Sequence, residues 1–225
     1  MPSPDASAHA EQMDDIYGGI QRHIYDVTRK YYLLGRDSLI AALQPGEGQN
    51  ILEVGCGTAR NSIVAARQFP QARFFGFDIS SAMLASASKS VAKAGLDERI
   101  ALTQGDATDF QPQSAFGIAK FDRVFCSYTL SMIPDWQATI RNSLSLLADG
   151  GELLIVDFGD QHGWPGFFRR MLYGWLARFQ VTPRTELGDF CQQLAVDHGV
   201  QCKVRQRYRG YAIMITITNT GFAGA

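Results

Sequence analysis

The sequence predicts an α/β fold in which a mostly parallel sheet carries helices on both faces. Short apolar runs alternate with helical segments through most of the 225 residues. Such runs are typical of parallel strands that are buried on both sides. The first run, Ile51–Val54, leads into the glycine turn Gly55-Cys-Gly57, which lets the backbone lie close against a ligand. A helix after this turn would point its free N–H groups at the same ligand.

The remaining elements follow in a regular order. The predicted strands are Ile51–Val54, Arg73–Phe77, Ile100–Gln104, Phe121–Cys126, Glu152–Asp157, Val200–Gln206 and Tyr211–Thr218. The predicted helices are Arg60–Gln68, Ser80–Lys93, Pro134–Leu147 and Glu186–His198. Apolar runs of this length, bounded by glycine, proline and capping residues, are the signals on which these assignments rest.

Three segments make up the predicted organisation of the chain. Residues 1–12 are small and polar and are predicted to be a disordered tail. Residues 13–44 have apolar residues at helical spacing and form an N-terminal helical cap, in which Gly35 breaks the run and Asp37 caps a second helix that stops before Pro45. Residues 45–225 form the main domain, with an aromatic-rich insertion near 161–182.

Composition excludes several classes of function. The formal net charge of −1 gives no reason to expect nucleic acid as a partner. The four cysteines have no metal-ligand spacing, so we expect no metal and a reduced, cytoplasmic chain. The N-terminus lacks a signal-peptide pattern, and no apolar run reaches the length of a membrane span. Any membrane contact is therefore expected to be peripheral, on the inner face.

Four predicted strand ends carry residues suited to a nucleotide. They contain Glu53 before the glycine turn, Asp78 about 20 residues later, Asp106 after Gly105, and Tyr128 after the fourth strand. Ligands of such sheets bind outside the carboxyl ends of the strands, where an acid like Asp78 holds ribose hydroxyls. A dinucleotide turn starting at Gly55 would need glycine at position 60, which is Arg60 here.

This set of strand ends resembles the class I S-adenosylmethionine-dependent methyltransferases, over residues 45–160. The resemblance rests on the E-x-G-x-G turn, the acid of the second strand, the Gly-Asp pair of the third and the stretch DGGELLIVDF. It implies a seven-stranded Rossmann-like sheet, with S-adenosylmethionine as cofactor and S-adenosylhomocysteine as product. The third glycine of the family's turn is Ala59 here, a mild departure that would tighten the turn.

The resemblance also implies the cofactor contacts. Gly55 and Gly57 would flank the methionine part and Asp78 would bind the ribose. Ile79 and Met83 would pack against the adenine, although a core position suits Met83 equally well. Asp106 and Ala107 would contact the polar edge of the adenine. Other contacts are expected from Tyr25, Arg29, Glu53, Asn61 and Ser127; Arg29 either pairs with the cofactor carboxylate or is solvated.

Stretches outside the cofactor half resemble a narrower family, the diacylglyceryl-homoserine N-methyltransferases of betaine-lipid synthesis. These stretches are residues 24–37, 127–136, 156–160, 181–184 and 208–211. The resemblance implies three successive methyl transfers to the amine of diacylglyceryl homoserine, giving diacylglyceryl-N,N,N-trimethylhomoserine. The alternatives are a methyltransferase of a quinone, a phospholipid amine or another small acceptor, and a binding module that holds the cofactor without turnover.

An amine acceptor sets further requirements. It must lose a proton before each attack, for which Tyr25, Asp26, Tyr128 and Asp157 are the candidates. Tyr128 is the first choice to line the methyl-transfer point, with packing under a lid as the alternative. The carboxylate of homoserine favours an arginine, and Arg184, Arg209 and Arg29 are candidates, with Tyr211 a further contact to the substrate.

The insertion has helical periodicity from residue 164 to residue 179. Its apolar arc contains Phe168, Met171, Leu172, Trp175, Leu176 and Phe179. Arg169 and Arg178 flank this arc, and Arg170 lies opposite. Aromatic residues with flanking arginines suit a helix at a membrane surface. A lid that packs on the core of the protein would have the same pattern.

Overall fold

The computed structural model describes residues 33–220 of the chain. The predicted tail, residues 1–12, and most of the predicted cap lie outside the described residues. The same holds for Tyr25, Asp26 and Arg29, so their roles stay predictions.

Seven strands and seven helices form the described part of the chain. The strands are β1 (Asn50–Val54), β2 (Arg73–Asp78), β3 (Ile100–Gln104), β4 (Phe121–Ser127), β5 (Leu147–Phe158), β6 (Gln201–Arg207) and β7 (Ala212–Thr218). The helices are α1 (Arg36–Leu43), α2 (Arg60–Gln68), α3 (Ser81–Ala94), α4 (Pro112–Phe116), α5 (Trp136–Ser145), α6 (Gly166–Ala177) and α7 (Leu187–His198).

The strands form one twisted sheet in the order β3-β2-β1-β4-β5-β7-β6. β1 to β5 are mutually parallel, and β7 runs antiparallel to both β5 and β6. Strand order reverses at β1, which has β2 on one side and β4 on the other. Such a reversal opens a crevice at the carboxyl ends of the central strands. The predicted α/β fold with a mostly parallel sheet is confirmed.

Two hydrophobic cores lie on opposite faces of the sheet. Helices α1, α2, α3 and α6 contribute to the core on the first face, together with Phe74, Phe125 and Phe158 of the strands. Helices α5 and α7 contribute to the core on the second face. Each fully buried large side chain stabilises the fold by about 1.5–3 kcal/mol relative to exposure, so the two covered faces together fix the sheet.

Several local features differ from the sequence-based prediction. The short helix α4 was not predicted, because its five residues give too little periodicity. Asp37 does not cap α1: Gly35, with φ 92°, stands at the cap position and no side chain caps the helix. Asp37 lies in the first turn instead and pairs with Arg60 at 3.0 Å. Strand β5 begins at Leu147, ahead of the predicted turn, since these residues pair with β4.

Helix α6 packs against the core on the first face of the sheet. Leu172 and Leu176 are buried in the core of the first face, and Phe168, Trp175 and Phe179 are partly buried against it. The amide of Thr182 then donates to the carbonyl of Ser131 at 2.8 Å, which ties the end of the insertion to the loop after β4. The aromatic arc predicted at 164–179 therefore faces the core, except for Met171, which is 63% exposed.

Candidate active site

The glycine turn after β1 adopts a backbone that most residues avoid. Gly55 and Gly57 have φ values of 64° and 53°. A Cβ at Gly55 would lie 2.4 Å from Cγ2 of Thr129, so glycine is required there for steric reasons as well. Ala59 also has a left-handed backbone, with φ 59°, which costs an alanine roughly 1 kcal/mol. This position is the one where the family has its third glycine.

Asp78 at the end of β2 fastens two loops at the crevice. One carboxylate oxygen accepts a hydrogen bond from the amide of Gly57 at 2.8 Å, and the other accepts from the amide of Ser80 at 3.0 Å. Asp78 also lines the cleft beside Gly55 and Gly57. A carboxylate oxygen has more than one acceptor site, so each can hold a backbone amide and still receive a ligand hydroxyl.

The carboxylate of Glu53 is buried and hydrogen-bonded to the start of α2. It accepts hydrogen bonds from the side-chain amide of Asn61 at 2.9 Å and from the backbone amide of Ser62 at 3.1 Å. The hydroxyl of Ser62 donates to it as well. Burial raises its pKa to about 7. Glu53 and Asn61 thereby hold the first turn of α2 against β1 and position the glycine turn, and their direct contacts with the cofactor stay predictions.

An apolar wall lies beside Asp78. Ser80 caps α3 by accepting a hydrogen bond from the amide of Met83 at 3.2 Å, which sets Met83 at the cleft. Ile79 lines the same wall, and Met83 packs with Ile79, Met132 and Phe179. Met83 is thus a core side chain and a cleft-lining one at the same time. A flat apolar ring such as adenine fits between walls of this kind.

The end of β3 closes the other side of the cleft. Gly105, Asp106 and Ala107 line it, and Oδ1 of Asp106 accepts from the amide and hydroxyl of Thr108 at 2.9 and 2.8 Å. The ring of Phe110 stacks on Phe77, with ring centroids 3.8 Å apart. A Cβ at Gly105 would lie 2.4 Å from the ring of Phe110. Glycine at this position therefore allows the backbone after β3 to pack directly against the two stacked rings.

Tyr128 lines the cleft at the end of β4, although its hydroxyl is used elsewhere. The hydroxyl donates to the carbonyl of Leu34, and the ring packs against Phe158 with centroids 4.8 Å apart. Burial raises the pKa of Tyr128 well above its usual range. The residue therefore shapes the site and is unsuited to act as a base. Ser127, the residue before it, does not line the cleft, so its predicted cofactor contact is not supported by this geometry.

The three described residues predicted to bind the substrate lie away from the cleft lining. Arg184 donates to the carbonyls of Leu130 and Ile133 at 3.3 and 2.8 Å, which fixes the loop after β4. Arg209 is exposed on the turn between β6 and β7. Tyr211 is buried and packs edge-on against Phe158, with centroids 6.0 Å apart. The roles of all three in substrate binding stay predictions.

Asp157, a candidate base, is buried and hydrogen-bonded to the backbone. Its two oxygens accept from the amides of Ser131 and Phe158 at 3.1 and 2.8 Å. Burial raises its pKa to about 6. Asp157 is absent from the cleft lining, so its carboxylate serves to hold the loop after β4 on the end of β5.

Sequence reasoning missed three residues of that loop. Thr129, Met132 and Ile133 line the cleft beside Tyr128. Thr129 donates to the carbonyl of Val54 at 3.1 Å and fills the space that Gly55 leaves open. The position of this stretch after the fourth strand is the one sequence signal that points to a contact with the ligand.

Comparison with known proteins agrees with this geometry. The model of a family described as a methyltransferase domain matches residues 45–179, more than half of the chain. The chain belongs to this methyltransferase domain family. The predicted fold, family and enzyme class are thereby confirmed at the level of methyltransferases.

The curated relatives of this methyltransferase are similar over part of their length. The demethylmenaquinone methyltransferase of Listeria monocytogenes serotype 4a is 28% identical over 145 residues, which cover 63% of this chain and 59% of the relative. The chain thus spans about three fifths of the length of that relative. The demethylmenaquinone methyltransferase of Bacteroides fragilis is 25% identical over 169 residues, covering 73% of this chain and 67% of the relative.

Solved structures share the fold. Phosphoethanolamine N-methyltransferase 2 of Haemonchus contortus, in complex with S-adenosyl-L-methionine, has a TM-score of 0.68 at 22% identity. The match covers 88% of this chain and 46% of that chain. The YcgJ protein of Bacillus subtilis has a TM-score of 0.64 at 14% identity, with 83% of this chain and 98% of that chain covered.

Two further properties bear on partners. Within residues 33–220, no group of three or more His, Cys, Asp or Glu side chains is placed to hold a metal ion. None of the helices in that range is both long and apolar enough to cross a bilayer. All four cysteines lie in the described range and are free thiols.

Proposed function

We propose that this methyltransferase uses S-adenosylmethionine to methylate the amine of a lipid-linked acceptor, diacylglyceryl homoserine. The observation that carries the cofactor assignment is the double hydrogen bond of Asp78 to Gly57 and Ser80. It places a carboxylate between a glycine turn and an apolar wall, an arrangement suited to an adenosine with a charged tail.

The residues of the cleft fit the parts of that cofactor. Asp78 would accept the ribose hydroxyls, and Ile79 with Met83 would enclose the adenine. Asp106 and Ala107 would meet the polar edge of the adenine, while Gly55 and Gly57 leave room for the methionine part. When bound, S-adenosylmethionine supplies a methyl group activated by the sulfonium. The chain then has to align the acceptor with that methyl group, and alignment is the larger part of catalysis for an in-line displacement.

The acceptor would enter beside Tyr128. Thr129, Met132 and Ile133 continue the cleft from that residue, and Phe179 of the insertion packs, like Met132, against Met83. These walls are mostly apolar and suit an acceptor that carries acyl chains. The identification of the headgroup as homoserine rests on the resemblance of the stretches around β4, β5 and the β6–β7 turn. Arg184, Arg209 and Arg29 stay the candidates to hold its carboxylate.

A quinone acceptor is the second candidate. It is favoured by one specific observation: relatives at 25–28% identity are named demethylmenaquinone methyltransferases. A quinone is methylated on carbon. It has no carboxylate, so its binding requires no arginine or lysine. The described lining of the cleft contains no arginine or lysine, which suits this acceptor as well.

Product analysis tests the proposal. The protein is incubated with S-adenosylmethionine and one acceptor at a time in detergent micelles. The three acceptors are diacylglyceryl homoserine, phosphatidylethanolamine and demethylmenaquinone. Mass spectrometry with fragmentation then locates each added methyl group. We expect methylation of the homoserine nitrogen, abolished in Asp78→Ala. Transfer only to demethylmenaquinone would reject the lipid-amine proposal, and cofactor binding without turnover on any acceptor would indicate a binding module.

A further inference from the structure

Large exposed hydrophobic side chains are concentrated at one place on the described surface. Four of them occur in residues 33–220: Phe167, Met171, Val196 and Tyr208, with exposures of 68%, 63%, 74% and 47%. Phe167 and Met171 lie one turn apart on α6, and Tyr208 lies in the turn between β6 and β7. Val196 is on α7, which packs on the opposite face of the sheet.

Hydrogen bonds join the β6–β7 turn to the segment that leads into α6. The amides of Gln161 and Gly163 donate to the carbonyls of Gly210 and Arg209 at 2.8 and 3.2 Å. The indole of Trp164 donates to the carbonyl of Tyr208 at 3.0 Å. The turn is therefore fastened beside the start of α6, and the three exposed side chains belong to one surface.

Arginines are the most frequent charged residues of this surface. Arg169 and Arg170 are exposed on α6, a helix without any acidic residue. Arg207 and Arg209 are exposed on either side of Tyr208. The acid of the connecting segment, Asp160, bonds to the ring of His162 at 2.7 Å. A cationic patch on a chain whose formal net charge is −1 calls for an anionic partner.

We propose that Phe167, Arg170, Met171, Arg207, Tyr208 and Arg209 form a docking face for an anionic phospholipid bilayer. Phe167, Arg170 and Met171 lie at positions i, i+3 and i+4 and so share one side of α6. The apolar side chains enter the boundary of headgroups and acyl chains, and the arginines reach lipid phosphates. A nucleic-acid backbone would satisfy the arginines and leave Phe167 and Met171 in water.

The docking face differs from the membrane helix expected from the sequence. Leu172, Trp175, Leu176 and Phe179 pack inward, so only the opposite side of α6 can meet a bilayer. Phe179 follows the end of this helix and packs with Met83 and Met132 of the cleft. Docking would thus bring the covered side of the cleft close to the lipid surface. This inference rests on the proposed lipid acceptor. It adds the surface of the protein that would contact the membrane in which that acceptor lies.

Vesicle flotation of the full chain, without cofactor or acceptor, tests the docking face. Vesicles of phosphatidylcholine alone are compared with vesicles of phosphatidylcholine and phosphatidylglycerol. We expect binding to the anionic vesicles and its loss at high salt. The variants Phe167→Ala with Met171→Ala, and Arg207→Glu with Arg209→Glu, should each lower partitioning about tenfold.

Matched variants provide the controls. Val196→Ala removes an exposed apolar side chain elsewhere, and Lys89→Glu with Lys93→Glu makes the same change of charge on α3. Both should bind vesicles like the parent protein. If the charge-reversed pair fails to fold by circular dichroism, Arg207→Ala with Arg209→Ala replaces it, with an expected loss of about fivefold.

Several outcomes would overturn the docking face. They are equal binding to both kinds of vesicle, equal losses in the control variants, and arginine-dependent binding to duplex DNA without binding to vesicles. A dimer that dissociates on Phe167→Ala with Met171→Ala would assign the surface to a second copy of this chain. Methylation in micelles is measured separately: a protein that docks but does not methylate refutes the proposed function alone, and the reverse result refutes the docking face alone.

Discussion

At the scale of single residues, Asp78 links the binding of ligand to the order of the loops around it. Its carboxylate holds the amides of Gly57 and Ser80 while it faces the cleft. Asp78→Ala should weaken the binding of S-adenosylhomocysteine about 100-fold, since hydrogen bonds to a charged group contribute about 1.5–3 kcal/mol each. Isothermal titration calorimetry measures the change. Asp109→Ala removes an exposed acid in the segment after β3 and should bind normally; an equal loss there would count against the assignment.

Gly55 and Thr129 form a steric pair at the centre of the site. An alanine at position 55 would need a left-handed backbone and would meet the Thr129 methyl group at 2.4 Å. We expect Gly55→Ala to lower the free energy of unfolding by about 2–4 kcal/mol, from strain and overpacking together. Urea unfolding of both single variants and of Gly55→Ala with Thr129→Ala measures the coupling. Additive effects would show that the two side chains do not compete for space.

Glu53 should make the stability of the protein depend on pH. Burial raises its pKa from 4.5 to about 7. Between these values the folded state holds a proton that the unfolded state has lost, so the contribution of Glu53 to stability decreases as the pH rises through this window. The full loss is about 3 kcal/mol.

Glu53→Gln isolates this effect, because glutamine does not titrate. The free energy of unfolding is measured with urea at pH 4.5 and at pH 8 for both proteins. Its decrease from pH 4.5 to pH 8 should be about 3 kcal/mol smaller in the variant than in the parent. Asp157, whose pKa burial raises from 3.8 to about 6, is present in both proteins and cancels in the comparison. Identical pH profiles would mean that Glu53 keeps an ordinary pKa.

At the scale of elements, the loop after β4 depends on the segment that follows α6. Arg184 donates to the carbonyls of Leu130 and Ile133, and Ile133 lines the cleft. Arg184→Ala should therefore weaken cofactor binding about tenfold in addition to any effect on the acceptor, since it removes the hydrogen bonds to two partly buried carbonyl groups. Arg184→Lys should restore part of the loss. A change confined to the KM of carboxylate-bearing acceptors would instead support a direct contact with substrate.

The sequence predicted the regular elements better than the directions of their side chains. Strands such as β1 and β2 could be located because apolar runs with glycine or acidic ends are local signals. The short helix α4 gave no periodic signal and was missed. Helix α6 showed the correct apolar arc, but periodicity alone does not say whether an arc faces a core or a bilayer. Only its contacts with the first core answered that question.

Sequence-based prediction of the site residues is limited by the same physical cause. The acid after the second strand predicted a ligand with a ribose, the resemblance to methyltransferases implied adenine, and Asp78 and Asp106 do line the cleft. The orientation of Glu53 depends on Asn61 and Ser62 in the next helix. Arg184 acts on carbonyls more than 50 residues away in the sequence. Hydrogen bonds between residues so far apart in the sequence depend on how whole helices and strands pack. A local sequence pattern does not predict that packing.

At the scale of the whole molecule, the buried thiols report on cooperative opening. Cys56, Cys126 and Cys191 are buried, whereas Cys202 is partly exposed. Burial raises the pKa of all four thiols. The thiolate is the reactive form, so the three buried cysteines should be alkylated only when the protein opens. Cys191 lies on α7 in the core of the second face, away from the cleft, and so reports opening that a ligand cannot block by direct contact.

Ligand binding should slow this opening by mass action. At about 100 times its dissociation constant, S-adenosylhomocysteine stabilises the folded state by about 2.7 kcal/mol, which slows labelling through global unfolding about 100-fold. Mass spectrometry of peptides after iodoacetamide treatment should show that slowing at Cys126 and Cys191, with the rate at Cys202 unchanged. Protection of Cys56 alone would show that the ligand only shields the glycine turn. Equal slowing at Cys126 and Cys191, which belong to the same core, would show that the cleft and that core unfold as one unit.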